Sequence, residues 1–312
     1  TLGFIYYIQT ELGYKNLGLA DDEFQTEDQL AFVPYHREGR RLQGIQRMTI
    51  NHALNMYGEK PLYRTGISVG DYPVDHHHDC RPDAPVINFP PVPSFNIPLG
   101  ALIPETIDGL IVSDKAISVS NIINGSTRLQ PCVLLTGQAA GALAALSVQN
   151  NQNVRQINIR KLQQTLLDAG AYLMPLVDIG PTDKDFQAIQ RVTASGILKI
   201  KGESHDWANR SWFYPDTTIT VKEFLEGLNA FEPKISVNND QSLLTIEKYI
   251  SLINNYLNKD VSGEIQKNWE SRMERKFDGE LAITKRELSV LTDELIRPFE
   301  TKTIGFDGNY KN

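Results

Sequence analysis

Eighteen residues from Pro131 to Val148, PCVLLTGQAAGALAALSV, carry no charge. No other stretch narrows the fold so much. Its length approaches the roughly 20 apolar residues of a membrane span. Its composition argues against one: Thr136, Gln138, two glycines and several alanines leave little hydrocarbon. The run reads instead as a helix buried on most sides. Gly137, Ala140, Gly141 and Ala144 fall at i, i+3, i+4 and i+7, a thin face that lets another backbone approach closely. Tight helix packing alone would account for the same pattern.

The flanking residues sharpen the reading. Leu110, Ile111 and Val112 follow Asp108-Gly109 and read as a short buried strand. Asn124-Gly125-Ser126-Thr127 reads as a turn with capping residues. Thr127-x-x-Gln130 fits a capping box, which would put Pro131 one position too deep; with Pro131 in the first turn, the helix starts at about Gln130. In both cases free backbone N–H groups gather between Gly125 and Gln130, beside Arg128, where an anion or electron-rich oxygen is favoured.

A strand, a linker, a Gly-Ser turn, an arginine and a small-residue helix resemble the C-terminal flavin-binding segment of the FAD-dependent oxidoreductases of the fumarate-reductase-like superfamily. Within it the chain is most similar to bacterial proteins that carry a xanthan-lyase label. Three segments bear the resemblance in order: YHREGRRLQG at 35–44, SVGDYPVDHHH at 68–78, and GSTRLQPCVLLTGQAAGALAAL at 125–146. Where such proteins read Ala-Gly-Arg after the strand, this chain has Ser113-Asp114-Lys115, and Asp114 adds bulk and charge. No GxGxxG strand–turn–helix occurs in the chain. In the family that element holds the FAD pyrophosphate and precedes anything seen here. The chain is therefore expected to be a fragment, a processed product or a degenerate relative, and a missing N-terminal chain is an expected partner.

The resemblance implies FAD as cofactor. Asp114, Gly125, Ser126, Thr127, Arg128 and Gln130 would hold it, and Arg37, Arg40 and Arg41 would bind substrate or flavin. Three arginines within five residues suit bidentate recognition of a carboxylate or phosphate, although solvated or ion-paired surface arginines give the same pattern. His76, His77 and His78 cannot all face one point on an extended strand, whereas His76 and His78 can share a face. One of these two would take a proton from an alcohol while hydride leaves to flavin; a structural role stands beside that reading. No later histidine cluster completes a metal site, so no metal is expected.

The formal net charge is −7, which argues against a nucleic-acid partner. Cys80 and Cys132 form no CxxC or CxxH pattern; a disulfide and two buried thiols both stay open. The opening TLGFIYYIQTELGYKN lacks a basic start and a cleavage site, which a mature secreted protein would lack too. It reads as an amphipathic helix with Phe4, Ile5, Ile8 and Leu12 packed on one side. Seven prolines between positions 82 and 104 make a stiff, extended connection.

Residues 171–181 read as an interdomain connection, beyond which the character changes; helices flank it on both sides. Helices are expected at 157–167, stopped by Asp168-Ala169-Gly170, and at 186–198, stopped by Ser195-Gly196. Three later segments share a plan: an apolar residue, then Thr220, Thr245 or Thr284, then an amphipathic helix. Glu223 and Glu287 complete capping boxes, and Lys248 denies one to Thr245. A helix ending in Gly-Ile, a Phe-x-Pro-Asp loop and a Thr-capped helix resemble S-layer homology repeats, some of which bind cell-wall polymers. Trp207, Trp212, Phe213 and Tyr214 read first as a core plug, and second as a surface that stacks on sugar.

The expected fold is α/β, an incomplete FAD-binding domain with a mixed-sheet substrate region over 1–172, followed by a mostly α-helical domain over 181–312. The expected activity is hydride transfer between a carbohydrate-like or small-acid substrate and flavin, in a secreted, periplasmic or cell-surface protein without a membrane span. A non-catalytic module that binds glycan or a partner is the alternative. A polysaccharide lyase built on Tyr35, His36 and Arg37 ranks third.

Overall fold

The computed structural model describes residues 1–33, 35–58, 60–75, 82–83 and 88–311. About 42% of the chain is helix and 9% strand, a mixed α/β character dominated by helices. It divides into two compact units, Thr1–Gly39 and Arg40–Asn312.

Among its described residues the first unit holds one helix, α1 (Leu2–Thr10), and otherwise turns and bends. The expected helix is present but the expected packing is not, because α1 buries none of its residues. Phe4 and Leu12 lie exposed, with Ile5 and Ile8 half-buried. A unit of this size has too little chain to enclose an apolar stripe.

The second unit opens with an extended segment whose backbone runs beside residues 116–120. Leu42 N–H donates to Ala116 O at 2.8 Å, Met48 N–H to Ser118 O at 3.0 Å, and Ser120 N–H to Met48 O at 2.8 Å. The short helix α2 (Ile50–Leu54) follows. Strands β1 (Gly66–Gly70) and β2 (Phe95–Pro98) pair antiparallel, Ser68 opposite Ile97 and Gly70 opposite Phe95. Residues 110–112 form no strand, contrary to the sequence expectation. One backbone bond, Val112 N–H to Leu102 O at 2.8 Å, fixes them. The run is cut off by left-handed backbone on both sides, Gly109 at φ 70° and Asp114 at φ 65°, so no ladder can extend.

Helix α3 (Asn121–Thr127) is followed at once by α4 (Gln130–Asn150). The helix start is the one Pro131 favours, since the proline sits in the first turn, where its missing N–H costs nothing. Residues 124–127 are helical rather than a turn. Helix α4 buries Cys132, Thr136, Ala139, Leu143 and Leu146, one stripe at helical spacing. The small-residue face lies on the other side: nothing stands within 4 Å of where a Cβ on Gly137 or Gly141 would be, and Leu134 and Val148 are 73% and 82% exposed. The expectation of burial on most sides is thus corrected to burial on one. Among the described residues α4 is the one helix long and apolar enough to cross a membrane.

Helix α5 (Ile159–Asp168) is capped by Asn158, whose side chain accepts from Arg160 N–H at 2.8 Å. It ends before Gly170 at φ 75°, and α6 (Phe186–Ala194) ends before Gly196 at φ 79°, both as the sequence predicts. A small antiparallel pair follows, β3 (Lys201–Glu203) with β4 (Arg210–Trp212).

Helices α7 (Val221–Phe231), α8 (Ile246–Leu257) and α10 (Lys285–Ile296) start on Thr220, Thr245 and Thr284. Each threonine accepts from the N–H three residues on, at 3.2–3.3 Å, and Glu223 and Glu287 return the bond to the cap backbone. The segments before these helices are knitted to one another in a closed ring. Leu244 N–H donates to Ile219 O at 2.9 Å, Ile283 N–H to Leu244 O at 2.9 Å, and Lys285 N–H to Thr217 O at 2.8 Å. Helix α9 (Ser262–Met273) buries Ile265 and Trp269, and α11 (Pro298–Thr301) follows α10. The apolar core runs continuously from Met48 to Ile304.

Candidate functional site

Residues 124–128 are fully buried at the end of α3. Four of their polar atoms have no hydrogen-bond partner among the described residues: both amide atoms of Asn124, the Thr127 hydroxyl and the Arg128 Nε. Buried polar groups are normally paired, and each orphan costs about 1–3 kcal/mol. A cluster of them within one helical turn marks a place that fits a polar ligand.

The wall facing this turn is the segment 73–75. Ser126 Oγ donates to Pro73 O at 3.0 Å. Arg128 Nη2 donates to Asp75 O and to the Asp75 carboxylate, both at 3.2 Å. Gly125 allows the approach: a Cβ there would stand 2.7 Å from the Asp75 carbonyl carbon. The pairing with Asp75 fixes the orientation of Arg128, whose buried Nε has no partner among the described residues. His76, His78 and Cys80, which follow Asp75, lie outside the described residues.

The other sequence-predicted residues are placed as follows. Gln130 is exposed at the first position of α4. Asp114 is exposed in a single-turn helix, Asp114–Ala116, and its carboxylate accepts from Lys115 N–H at 2.7 Å. Arg40 is exposed and Arg41 half-buried at the start of the second unit. Arg37 belongs to the first unit and is exposed, as are Tyr35 and His36. The structure thus gathers Gly125, Ser126 and Arg128 against 73–75, buries Thr127 between them in the chain, and leaves Asp114 and Gln130 facing solvent.

Sequence reasoning passes over Asn124, read as part of a turn. Its isolation is a tertiary fact with no local signal. Cys132 lies buried on α4, and burial pushes its thiol up to about 12, so it stays a neutral, apolar-like group. Among the described residues no group of three or more His, Cys, Asp or Glu gathers to hold a metal.

No curated protein and no solved structure matches the chain. The sequence model described as FAD dependent oxidoreductase matches residues 1–166, a stretch that contains the 73–75 wall and all of α3 and α4. By that match, which covers more than half of its 312 residues, the chain belongs to the FAD dependent oxidoreductase family.

Proposed function

We propose that the chain forms part of a flavin oxidoreductase that moves hydride between FAD and a carbohydrate-like or small-acid substrate. The observation that supports this most is the set of unpartnered, buried polar atoms on Asn124, Thr127 and Arg128 within the family-matched region. Donors and acceptors side by side suit the polar edge of a flavin ring. FAD, when bound, supplies the hydride acceptor. Arg128 sets positive charge beside that edge, held in place by Asp75. Gly125 keeps the 73–75 wall close enough to exclude water from behind the arginine. His76 or His78 takes the proton from the substrate hydroxyl, and Arg40 and Arg41 hold its acidic or hydroxylated end.

The test is a visible absorption spectrum of the full chain after incubation with FAD and removal of free cofactor. Retained bands near ~370 and ~450 nm, those of a bound oxidised flavin, are the expected result. Arg128→Met should lose them while keeping its circular dichroism. A flat wild-type spectrum would sink the reading for this chain by itself.

One observation favours a second reading, a glycan-binding surface. Phe213 is the core plug the sequence suggests, fully buried, but its neighbours are not. Trp207 is 69% exposed and lies 5.8 Å from the Tyr72 ring, while Trp212 and Tyr214 stack at 5.8 Å, 11° from parallel. Such exposed rings suit sugar faces. Trp207→Ala and Tyr214→Ala should abolish retention on an insoluble cell-wall polysaccharide; retention that they leave unchanged would dismiss this surface.

A further inference from the structure

Three sizeable hollows lie in the second unit, and their walls differ. Two, of about 740 and 710 Å³, share Arg191, Arg272, Asp293 and Glu294. Those charges already pair with one another, Arg191 with Asp293 at 2.6 Å and Arg272 with Glu294 at 2.9 Å. Arg160 also lines the second of them. Its guanidinium lies over the Phe299 ring at 4.3 Å and donates through Nη1 to Gln163 at 2.8 Å. Its Nε and Nη2 lack partners among the described residues, but both are enclosed by protein, out of reach of anything in the hollow. The third hollow, of about 330 Å³, has a mainly apolar wall that includes Val69, Leu129, Leu135, Pro175, Leu176 and Val177. Its volume falls in the range of small-molecule sites, about 300–1,000 Å³.

The polar groups of this third wall are spent, enclosed or free. Ser126 Oγ donates to Pro73 O at 3.0 Å, and the Ser94 and Ser211 hydroxyls bond each other at 2.7 Å. The Asn209 amide is enclosed: its Oδ1 accepts from His205 N–H at 2.9 Å, and its unpartnered Nδ2 has no open side. The free groups are the Asp71 carboxylate and the hydroxyls of Tyr72 and Tyr172. Asp71 is exposed at the end of β1, where its backbone O accepts from Asn209 N–H at 2.7 Å. Among the described residues no cation pairs with its carboxylate, and neither tyrosine hydroxyl has a hydrogen-bond partner. The two rings are held by other aromatics, Tyr72 at 5.8 Å from Trp207 and Tyr172 edge-on to Phe186 at 5.2 Å. All three free groups accept hydrogen bonds, and one carries a full negative charge. No lysine, arginine or histidine lines the hollow among the described residues. The charge is felt at the wall: burial raises the Cys132 thiol most, and the negative charge of Asp71 raises it further. Such a wall defines its own complement, a hydrocarbon body with a cationic head that brings N–H donors. A carboxylate there would meet like charge.

We propose that this hollow binds a small arylalkyl amine, its ring against the apolar wall and its ammonium at Asp71, with the two tyrosine hydroxyls as further acceptors. The site goes beyond the flavin reading. It shares Ser126 with that reading but does not depend on it, and it is tested without cofactor.

The experiment is a ligand-observed NMR titration of the full chain at about pH 7, where an alkyl amine is protonated and Asp71 ionised. The probes are phenethylamine and phenethyl alcohol, which has the same shape but a hydroxyl in place of the ammonium. Phenethylamine should bind about tenfold more tightly, the scale of one hydrogen bond to a charged group. Asp71→Asn keeps the backbone carbonyl that holds Asn209 and removes only the charge, at an exposed position that the fold tolerates. It should weaken phenethylamine about tenfold, to the level of phenethyl alcohol, and leave the alcohol unchanged. Equal affinities in the wild type, no binding of either probe at millimolar concentration, or an amine affinity that Asp71→Asn leaves intact would each overturn the proposal. Leu135→Trp fills the hollow from its apolar side. Loss of both probes in that variant, with wild-type circular dichroism, supports the site, and undiminished phenethylamine binding overturns it. Failure here says nothing against the flavin reading, whose own failure would be a flat spectrum.

Discussion

Lys285 shows how a single side chain can carry a pH signature. It is buried beside Phe213, whose ring centroid lies 4.3 Å from Nζ, and it donates to Lys199 O at 2.9 Å and to Phe213 O. Burial lowers its pKa from the ordinary 10.5 to about 8. Between those values the unfolded chain binds the proton that the folded chain has released, so stability rises with pH across that window. The penalty is full below pH 8 and relieved by pH 10.5, about 3 kcal/mol in all. Urea melts of wild type and Lys285→Met should differ by an amount that changes by this much, in the wild type's favour, as pH climbs through the window. A constant difference would mean the ammonium is not desolvated. At Gly125, Ala should cost about 1–3 kcal/mol by pushing the Asp75 backbone away, read as a lower thermal midpoint. The threonine caps were legible because a cap is a contact three residues long. Asn124, Asn209 and Lys285 were not, since what makes each unusual is supplied by residues far along the chain.

At the scale of elements, the caps can be ranked. Thr220→Ala, Thr245→Ala and Thr284→Ala each remove the hydroxyl that accepts from the N–H three residues on and should cost about 1–2 kcal/mol, whereas Glu223→Ala, which removes only the carboxylate that accepts from the cap backbone N–H, should cost less. A Glu223→Ala loss in chemical denaturation as large as that of Thr220→Ala would overturn the ranking. Helix α4 permits a sharper comparison between its faces. Leu143→Ala should cost about 2–5 kcal/mol because the residue is buried, whereas Leu134→Ala on the open face should stay within about 0.5 kcal/mol. The start, length and apolar character of α4 were readable from its residues. Which face the core takes was not, because a helix of leucines, alanines and glycines has almost no polar side to declare its outside. The strand expected at 110–112 failed for a related reason: three apolar residues fit a buried strand and a partly exposed loop equally, and only the presence of a neighbouring strand separates them.

For the whole molecule, the legible part was motif-borne. The segments at 35–44, 68–78 and 125–146 pointed to a flavoprotein family, and the match over 1–166 agrees. The pairing of β1 with β2 joins Ser68 to Ile97 across a proline-rich stretch, and no local pattern announces such a partner. The composition change near residue 181 is real in the sequence, yet the apolar core passes through it without a break, from Met48 to Ile304.

The ring that joins the starts of α7, α8 and α10 has a consequence for how this part of the chain opens. Each of the three segments is bonded to both others, so freeing any one strips partners from two. Partial opening gains little entropy for the bonds it loses, and the three helices should behave as a single cooperative unit. In native-state hydrogen exchange the amides of Leu244, Ile283 and Lys285 should therefore share one opening free energy and one denaturant slope. Three different slopes would mean that the helices come apart one at a time.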